Sequence, residues 1–181
     1  MATHLVFSLV GPDRTGIVER LSQEVVRQGG NLEDSRMAVL GGEFAVIMLV
    51  SIDDARRDTL QAGISAAAAE LGMLVLSKET ETRKAHGQGV PFRVTVRGMD
   101  HEGIVHEIVH HMAGQGVSIE TLESHVSEGA FTGTAIFAMD MRITAPAAVS
   151  LVDIRTRLSE AGDRLNVDVE VEPLERVATA L

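Results

Sequence analysis

The sequence predicts an α+β protein made of two copies of one β-α-β-β-α-β unit, each an antiparallel four-stranded sheet with two helices on one face. Three observations carry that expectation. The stretch GPDRTGIVERLSQEVVRQGGNLE, from Gly11 to Glu33, is written again as GMDHEGIVHEIVHHMAGQGVSIE, from Gly98 to Glu120, a constant shift of 87 positions (98 less 11). Gly11, Asp13, Gly16, Ile17, Val18, Gly29 and Glu33 recur without a gap as Gly98, Asp100, Gly103, Ile104, Val105, Gly116 and Glu120. Identity at glycines, acids and apolar helix positions marks one supersecondary unit built twice. Both halves also run through β-rich and helix-periodic segments in the same order. Finally, 181 residues with 45% hydrophobic content suit two small cores.

In the first half, His4 to Val10 is β-rich and mostly apolar, as a buried strand would be. Gly11-Pro12-Asp13 reads as a turn. From Gly16 the pattern becomes helical, with Ile17, Val18, Leu21, Val25 and Gln28 on or beside one face, and Asp13 or Thr15 as candidate caps. Gly29-Gly30 ends the helix. Asn31 to Leu40 is a strand, Gly41-Gly42 a tight hairpin turn, and Glu43 to Ile52 the returning strand. Asp53 to Leu71 is alanine-rich and helical, with Asp53 or Asp54 as cap and Gly72 at its end; Met73 to Thr80 is the last strand.

The second half repeats the order, with a strand from Phe92 to Arg97, a helix from Gly103 to Gly114 and a strand from Val117 to Val126. A longer loop through Gly129 and Gly133 leads to a strand over Thr134 to Thr144, and Phe137 is the counterpart of Phe44. A helix from Ala147 to Ala161 is expected next. The final strand, Leu165 to Glu172, sets Val167, Val169 and Val171 on one face against Asp168, Glu170 and Glu172 on the other. The domains are expected at 1–81 and 91–181, with a polar linker at 82–90. The order is the split βαβ, or ferredoxin-like, arrangement.

A net charge of −10 and the lack of a basic stripe argue against direct nucleic-acid binding. Cysteine is absent, which removes disulfides, thiolate nucleophiles and zinc–cysteine sites together. The N-terminal MATHLVFSLVGPDR has no basic n-region and too short an apolar run for a signal peptide or membrane span, so a cytoplasmic protein with no membrane partner is expected.

The segment DRTGIV, the helix after it and GGNLEDS resemble ACT domains, small modules that bind amino acids and regulate other proteins. With two such units and no other module, the chain is most similar to the glycine cleavage system transcriptional repressor group. Gly11 to Val18, Gly30 to Arg36 and the hairpin Gly41 to Phe44 carry that resemblance. It is looser in the second half, where Ser118 stands at the Asn31 position and Met99-Asp100-His101-Glu102 replace Pro12-Asp13-Arg14-Thr15. The resemblance implies an amino-acid site where the loop after the first strand meets the start of a neighbouring second strand. It names Gly11, Asp13, Arg14, Gly16 and Asn31, with Gly98, Asp100 and Gly103 as second-half counterparts.

The chemistry of these residues agrees. Backbone amides at a helix N-terminus are unsatisfied and suit an α-carboxylate, and Gly16 or Gly103 admits a ligand without a Cβ in the way. Asp13 or Asp100 then accepts from an α-ammonium, and Asn31 both donates and accepts. The competing reading is that both aspartates only cap their helices and the glycines only serve a turn.

His106-Glu107-Ile108-Val109-His110 matches the HExxH string of zinc hydrolases. Its histidines lie on the polar face of a short helix, and the first-half counterparts Glu19 and Gln23 are not an equivalent pair. Surface histidines are therefore expected, with neither metal nor cofactor. Gly11 to Gly16 has neither the P-loop lysine nor dinucleotide-loop spacing. The expectation is a non-enzymatic, homodimeric regulator that binds a small amino acid such as glycine and acts through a protein partner such as a transcription activator. The alternatives are a non-catalytic homologue of the regulatory domain of formyltetrahydrofolate deformylase, and a metal-dependent hydrolase using His106, Glu107 and His110.

Overall fold

A computed structural model of the chain describes residues 2–81, 89–128 and 133–174. The chain divides into two compact units, Met1–Lys84 and Ala85–Leu181. Most of the expected linker, residues 82–88, lies outside the described residues, while Gly89 and Val90 already belong to a strand. Among the described residues no helix is long and apolar enough to cross a membrane.

The first unit runs β1 (Ala2–Pro12), α1 (Ile17–Arg27), β2 (Asn31–Leu40), β3 (Glu43–Asp53), α2 (Arg57–Leu71) and β4 (Leu74–Thr80). All its strand pairs are antiparallel, in the order β2-β3-β1-β4. This is the arrangement the element order predicts. Period-two burial drives it: Leu5, Phe7 and Leu9 of β1 and Val46, Met48 and Val50 of β3 face the helices and are buried. Against them pack Ile17, Leu21 and Val25 of α1 and Leu60, Ile64, Ala67 and Ala68 of α2.

Local chemistry explains the ends of these elements. After Gln28, Gly29 adopts φ +77°; its N–H donates to the Val26 carbonyl and that of Gly30 to the Val25 carbonyl, both at 2.9 Å. This Schellman closure wants a residue free of a Cβ in the left-handed region. It recurs at Gly116, where Gly116 N–H donates to Ala113 and Val117 N–H to Met112. Asp53 accepts from the Ala55 amide at 3.0 Å and caps a short 3-10 turn, Asp54–Arg56, ahead of α2. Glu33 is a β-bulge, because Leu32 pairs with Val50 and Asp34 with Leu49. The recurring Glu120 occupies the same bulge, between Ile119 and Thr121.

The second unit contains β5 (Gly89–Met99), α3 (Ile104–Ala113), β6 (Ser118–Glu128), β7 (Ala135–Pro146), α4 (Leu151–Leu165) and β8 (Val167–Pro173), with sheet order β6-β7-β5-β8. Gly11 pairs with Phe44 and Gly98 with Phe137, so the two phenylalanines hold equivalent positions. Most of the expected longer loop, residues 129–132, lies outside the described residues.

The structure corrects several local expectations. The helix expected over Ala147 to Ala161 begins four residues later, at Leu151. The β7 ladder runs on through Ala145 and Pro146, which pair with Val90 and Gly89, so sheet pairing outweighs alanine's helix propensity. Ser150 then caps the helix by accepting from the Asp153 amide at 3.1 Å. Neither Asp13 nor Thr15 caps α1: Gly16 occupies the cap position and the helix has no side-chain cap hydrogen bond. Val18 lies off the buried stripe and is exposed.

In its place α1 buries a charge. Glu24 is buried at the contact between α1 and α2, where its carboxylate accepts from Arg27 (2.7 and 3.0 Å) and Gln28 (2.9 Å) and also meets Arg20. Gly63 makes room for it: a Cβ there would stand 2.0 Å from Glu24 Oε1. Arg20 reaches on to Glu70 at 2.8 Å and ties the two helices. Donation from Arg27 lowers the carboxyl to about 2, against the opposing effect of burial, with further lowering by Gln28 and Arg20.

Candidate functional site

The loop between β1 and α1 starts from a fixed point. The Asp13 amide donates to the Gly42 carbonyl at 2.9 Å, which ties the end of β1 to the β2–β3 turn. Three residues later Gly16 adopts φ +94° as the cap residue of α1, and its carbonyl accepts from the Arg20 amide at 2.9 Å. A Cβ built at Gly16 meets nothing within 4 Å, so the glycine is there for its dihedral angle and leaves an open approach. With no side-chain cap, the first amides of α1 have no intrahelical acceptor and stand at the positive end of the helix dipole. The Asp13 side chain is exposed and makes no hydrogen bond or ion pair among the described residues.

The second unit repeats this construction. The Asp100 amide donates to Ala135 at 2.9 Å, Gly103 has φ +90° with open space around it, and its carbonyl accepts from the Glu107 amide at 3.0 Å.

The other expected residues take different places. A Cβ on Gly11 would stand 2.9 Å from Met73, just ahead of β4, and one on Gly98 would stand 2.6 Å from Val167 of β8, so these two glycines serve close backbone packing. Asn31 opens β2 and pairs with Ser51, which pairs with His4, whereas the Asp13 loop leaves the far end of β1 beyond Pro12. Eight residues at about 3.3 Å put these two ends roughly 26 Å apart. Asn31 therefore cannot touch a ligand held by the Asp13 loop of its own unit.

Positions 14 and 101 show a role that the residue pattern alone did not reveal. Arg14 Nη2 stands 3.4 Å from where a Gly72 Cβ would lie, at the C-terminus of α2. His101 lies between the Leu165 carbonyl at the end of α4 (2.7 Å) and the Glu102 carbonyl (3.0 Å). A cation beside the last carbonyls of a helix is favoured by its dipole. Each loop thus sends a basic side chain to the end of its unit's second helix. The signal was a basic residue at the same place in both copies. The Leu165 carbonyl, then that of Glu102, with a smaller effect from Asp100, raises the His101 pKa above its ordinary 6.5.

The HExxH helix gathers no metal set. His106 and His110 stack with ring centroids 6.0 Å apart, and His111 accepts from Arg164 at 2.6 Å, so the residue across the helix pair is a cation. Among the described residues no three His, Asp or Glu side chains come together as ligands. Two hollows on the described residues are lined by neither loop. One, of about 680 Å³, runs beside β8 between Arg93, Arg97 and Asp163; another, of about 310 Å³, crosses Val6, Ile47 and Leu49 on the first sheet.

The ACT domain family matches residues 3–78. The glycine cleavage system transcriptional repressor of Escherichia coli (strain K12) is 39% identical over 80 residues, which is 44% of this chain and 42% of that protein. The match therefore spans less than half the length of that relative. UPF0237 protein MJ1558 of Methanocaldococcus jannaschii is 34% identical over 84 residues, 45% of this chain and 93% of that protein. Among solved structures, an unknown protein from Galdieria sulphuraria aligns over 96% of this chain and 99% of its own, with TM-score 0.84 and 29% identity. A second, described provisionally as a glycine cleavage system transcriptional repressor, aligns over 96% and 98% with TM-score 0.73; at 20% identity it is a likeness of fold alone.

Proposed function

Because the chain belongs to the ACT-domain proteins and is related to a glycine cleavage system repressor, we propose that it binds a small amino acid at the β1–α1 loop and passes that signal to a protein partner. The observation that carries this reading is the pairing of an uncapped helix N-terminus with an unengaged carboxylate three residues before its cap glycine. The amides of the first turn of α1 take the ligand's carboxylate, and Asp13 takes its ammonium. Gly16 keeps the approach open. A small ligand such as glycine is bound by its carboxylate and ammonium alone and needs no apolar pocket beside the loop. The chain's net charge of −10 directs any transcriptional role through a protein partner such as an activator, not through DNA.

Asp13→Asn tests the site. Asp13 caps nothing in the apo protein, so the melting temperature stays where it was. Loss of one charge-assisted hydrogen bond costs about 1.5–3 kcal/mol, roughly a tenfold to hundredfold weaker dissociation constant. Calorimetric titration with the best hit from a thermal-shift screen of the twenty amino acids measures it. The screen needs an extrinsic dye, because tryptophan and tyrosine are absent. Equal affinities would remove Asp13 from the site, and no binding by any amino acid would undo the sensor reading.

A further inference from the structure

The two sheets share a backbone plan but carry opposite chemistry on the face turned away from the helices. Residues paired across strands share a face, so Val6, Val10, Ile47, Leu49, Leu74 and Leu76 all lie on the outer face of the first sheet. Leu74 is 76% exposed and Leu76 71%. The same register positions in the second sheet hold Arg93, Arg97, Asp140, Arg142, Asp168 and Glu170. All six apolar positions have become charged, and Arg93 bonds Asp140 across that face. The second face is suited to water. The first is a contiguous aliphatic surface of the kind that monomers rarely leave exposed.

We propose that the outer face of the first sheet is a dimer interface that packs on the same face of a second copy of this chain. The distribution of charge selects that occupant. Each chain carries −10 and repels its like, so two copies approach best where acids are scarce. Across the three central rows of this face the only charged residues are Asp34, Arg36 and Lys78. One row reads Asp34, Leu49, Val6, Lys78 from β2 to β4, with an acid at one end, a base at the other and aliphatic residues between.

A two-fold axis parallel to the strands, passing between β3 and β1, lays β2 of one copy over β4 of the other. Asp34 then faces the second copy's Lys78 at two symmetric points, while Leu49 and Val6 meet in the middle. Aligned sheets packed about 10 Å apart are a standard sandwich, and such an interface is self-complementary. Lys78 has no ion partner among the described residues, while Asp34 pairs with Arg36 of its own strand and has a second carboxylate oxygen left to accept. In the second sheet the same row reads Thr121, Arg142, Arg93, Glu172, which would place like charges at its centre.

The face is small. Strands about 4.8 Å apart and seven paired residues at about 3.4 Å give roughly 19 by 24 Å, below the ~800 Å² per partner of a standard interface. The dimer is therefore expected to be concentration-dependent.

Sedimentation equilibrium of the full chain from low to high micromolar concentration tests the proposal, with circular dichroism to check that each variant is folded. Leu76→Glu and Ile47→Asp install the residue types of the second sheet and are expected to weaken the dimer about a hundredfold or more. Glu170→Gln, on the other sheet, is expected to leave it unchanged. Lys78→Asp weakens association, and Asp34→Lys with Lys78→Asp restores it, because the swap re-pairs only across a two-fold contact. A monomeric wild type at high micromolar concentration would overturn the proposal. So would a dimer indifferent to Leu76→Glu and Ile47→Asp, or a charge swap that fails to restore pairing.

Discussion

Replacing Glu24 by glutamine removes a buried negative charge while keeping the side chain's shape, and the structure sets the size of the effect. The folded carboxyl is held at about 2 instead of its ordinary 4.5, chiefly by donation from Arg27. That difference corresponds to about 3 kcal/mol of stability at neutral pH. Because the folded value is depressed, the contribution is fully present above the unfolded value near 4.5 and is lost as pH falls through about 2. Glutamine retains some hydrogen bonding with Arg27 and Gln28, so Glu24→Gln is expected to cost about 2 kcal/mol at pH 7. At roughly 1 kcal/mol per molar urea for a unit of this size, the midpoint for the first unit moves down by about 2 M. Urea titration followed by circular dichroism reads this, and repetition at pH 5, 4 and 3 should show wild type and variant converging. Gly63→Ala should destabilise the same unit, since its Cβ would stand 2.0 Å from Glu24 Oε1. Equal midpoints at pH 7, or a difference that does not shrink on acidification, would refute the assignment of Glu24 as a buried ionised clamp.

The second unit supports two further expectations. His101 has a raised pKa, so its contribution is complete below 6.5 and is lost as pH rises through the higher folded value. Its ring-proton titration by NMR should have a midpoint above 6.5, and His101→Gln should flatten the stability of the second unit across that window. Ser150→Ala removes the cap of α4 and should cost about 1 kcal/mol in the second unit's unfolding, with no effect on the first.

The duplication, the fold class and most strands and turns were legible in the chain because their signals are local. Alternation along β1 and β3, the Gly41-Gly42 hairpin and the glycines at 16 and 29 act over a few residues. The loop that carries the proposed ligand was legible for the same reason: a left-handed cap glycine must be glycine in both copies. The start of α4 was not, because the β5–β7 ladder extends through Ala145 and Pro146 by pairing with residues more than fifty positions away. The burial of Glu24 was equally hidden, since a carboxylate four residues from an arginine looks like a solvated helix pair until Gly63 of another helix closes over it. Cross-strand register is a long-range property. It separated Asn31 from the Asp13 loop, placed Glu33 and Glu120 in bulges, and gathered six aliphatic residues from β1, β3 and β4 on one open face. Sequence spacing determined which residues each strand turns outward; only the pairing of strands decided which of them meet.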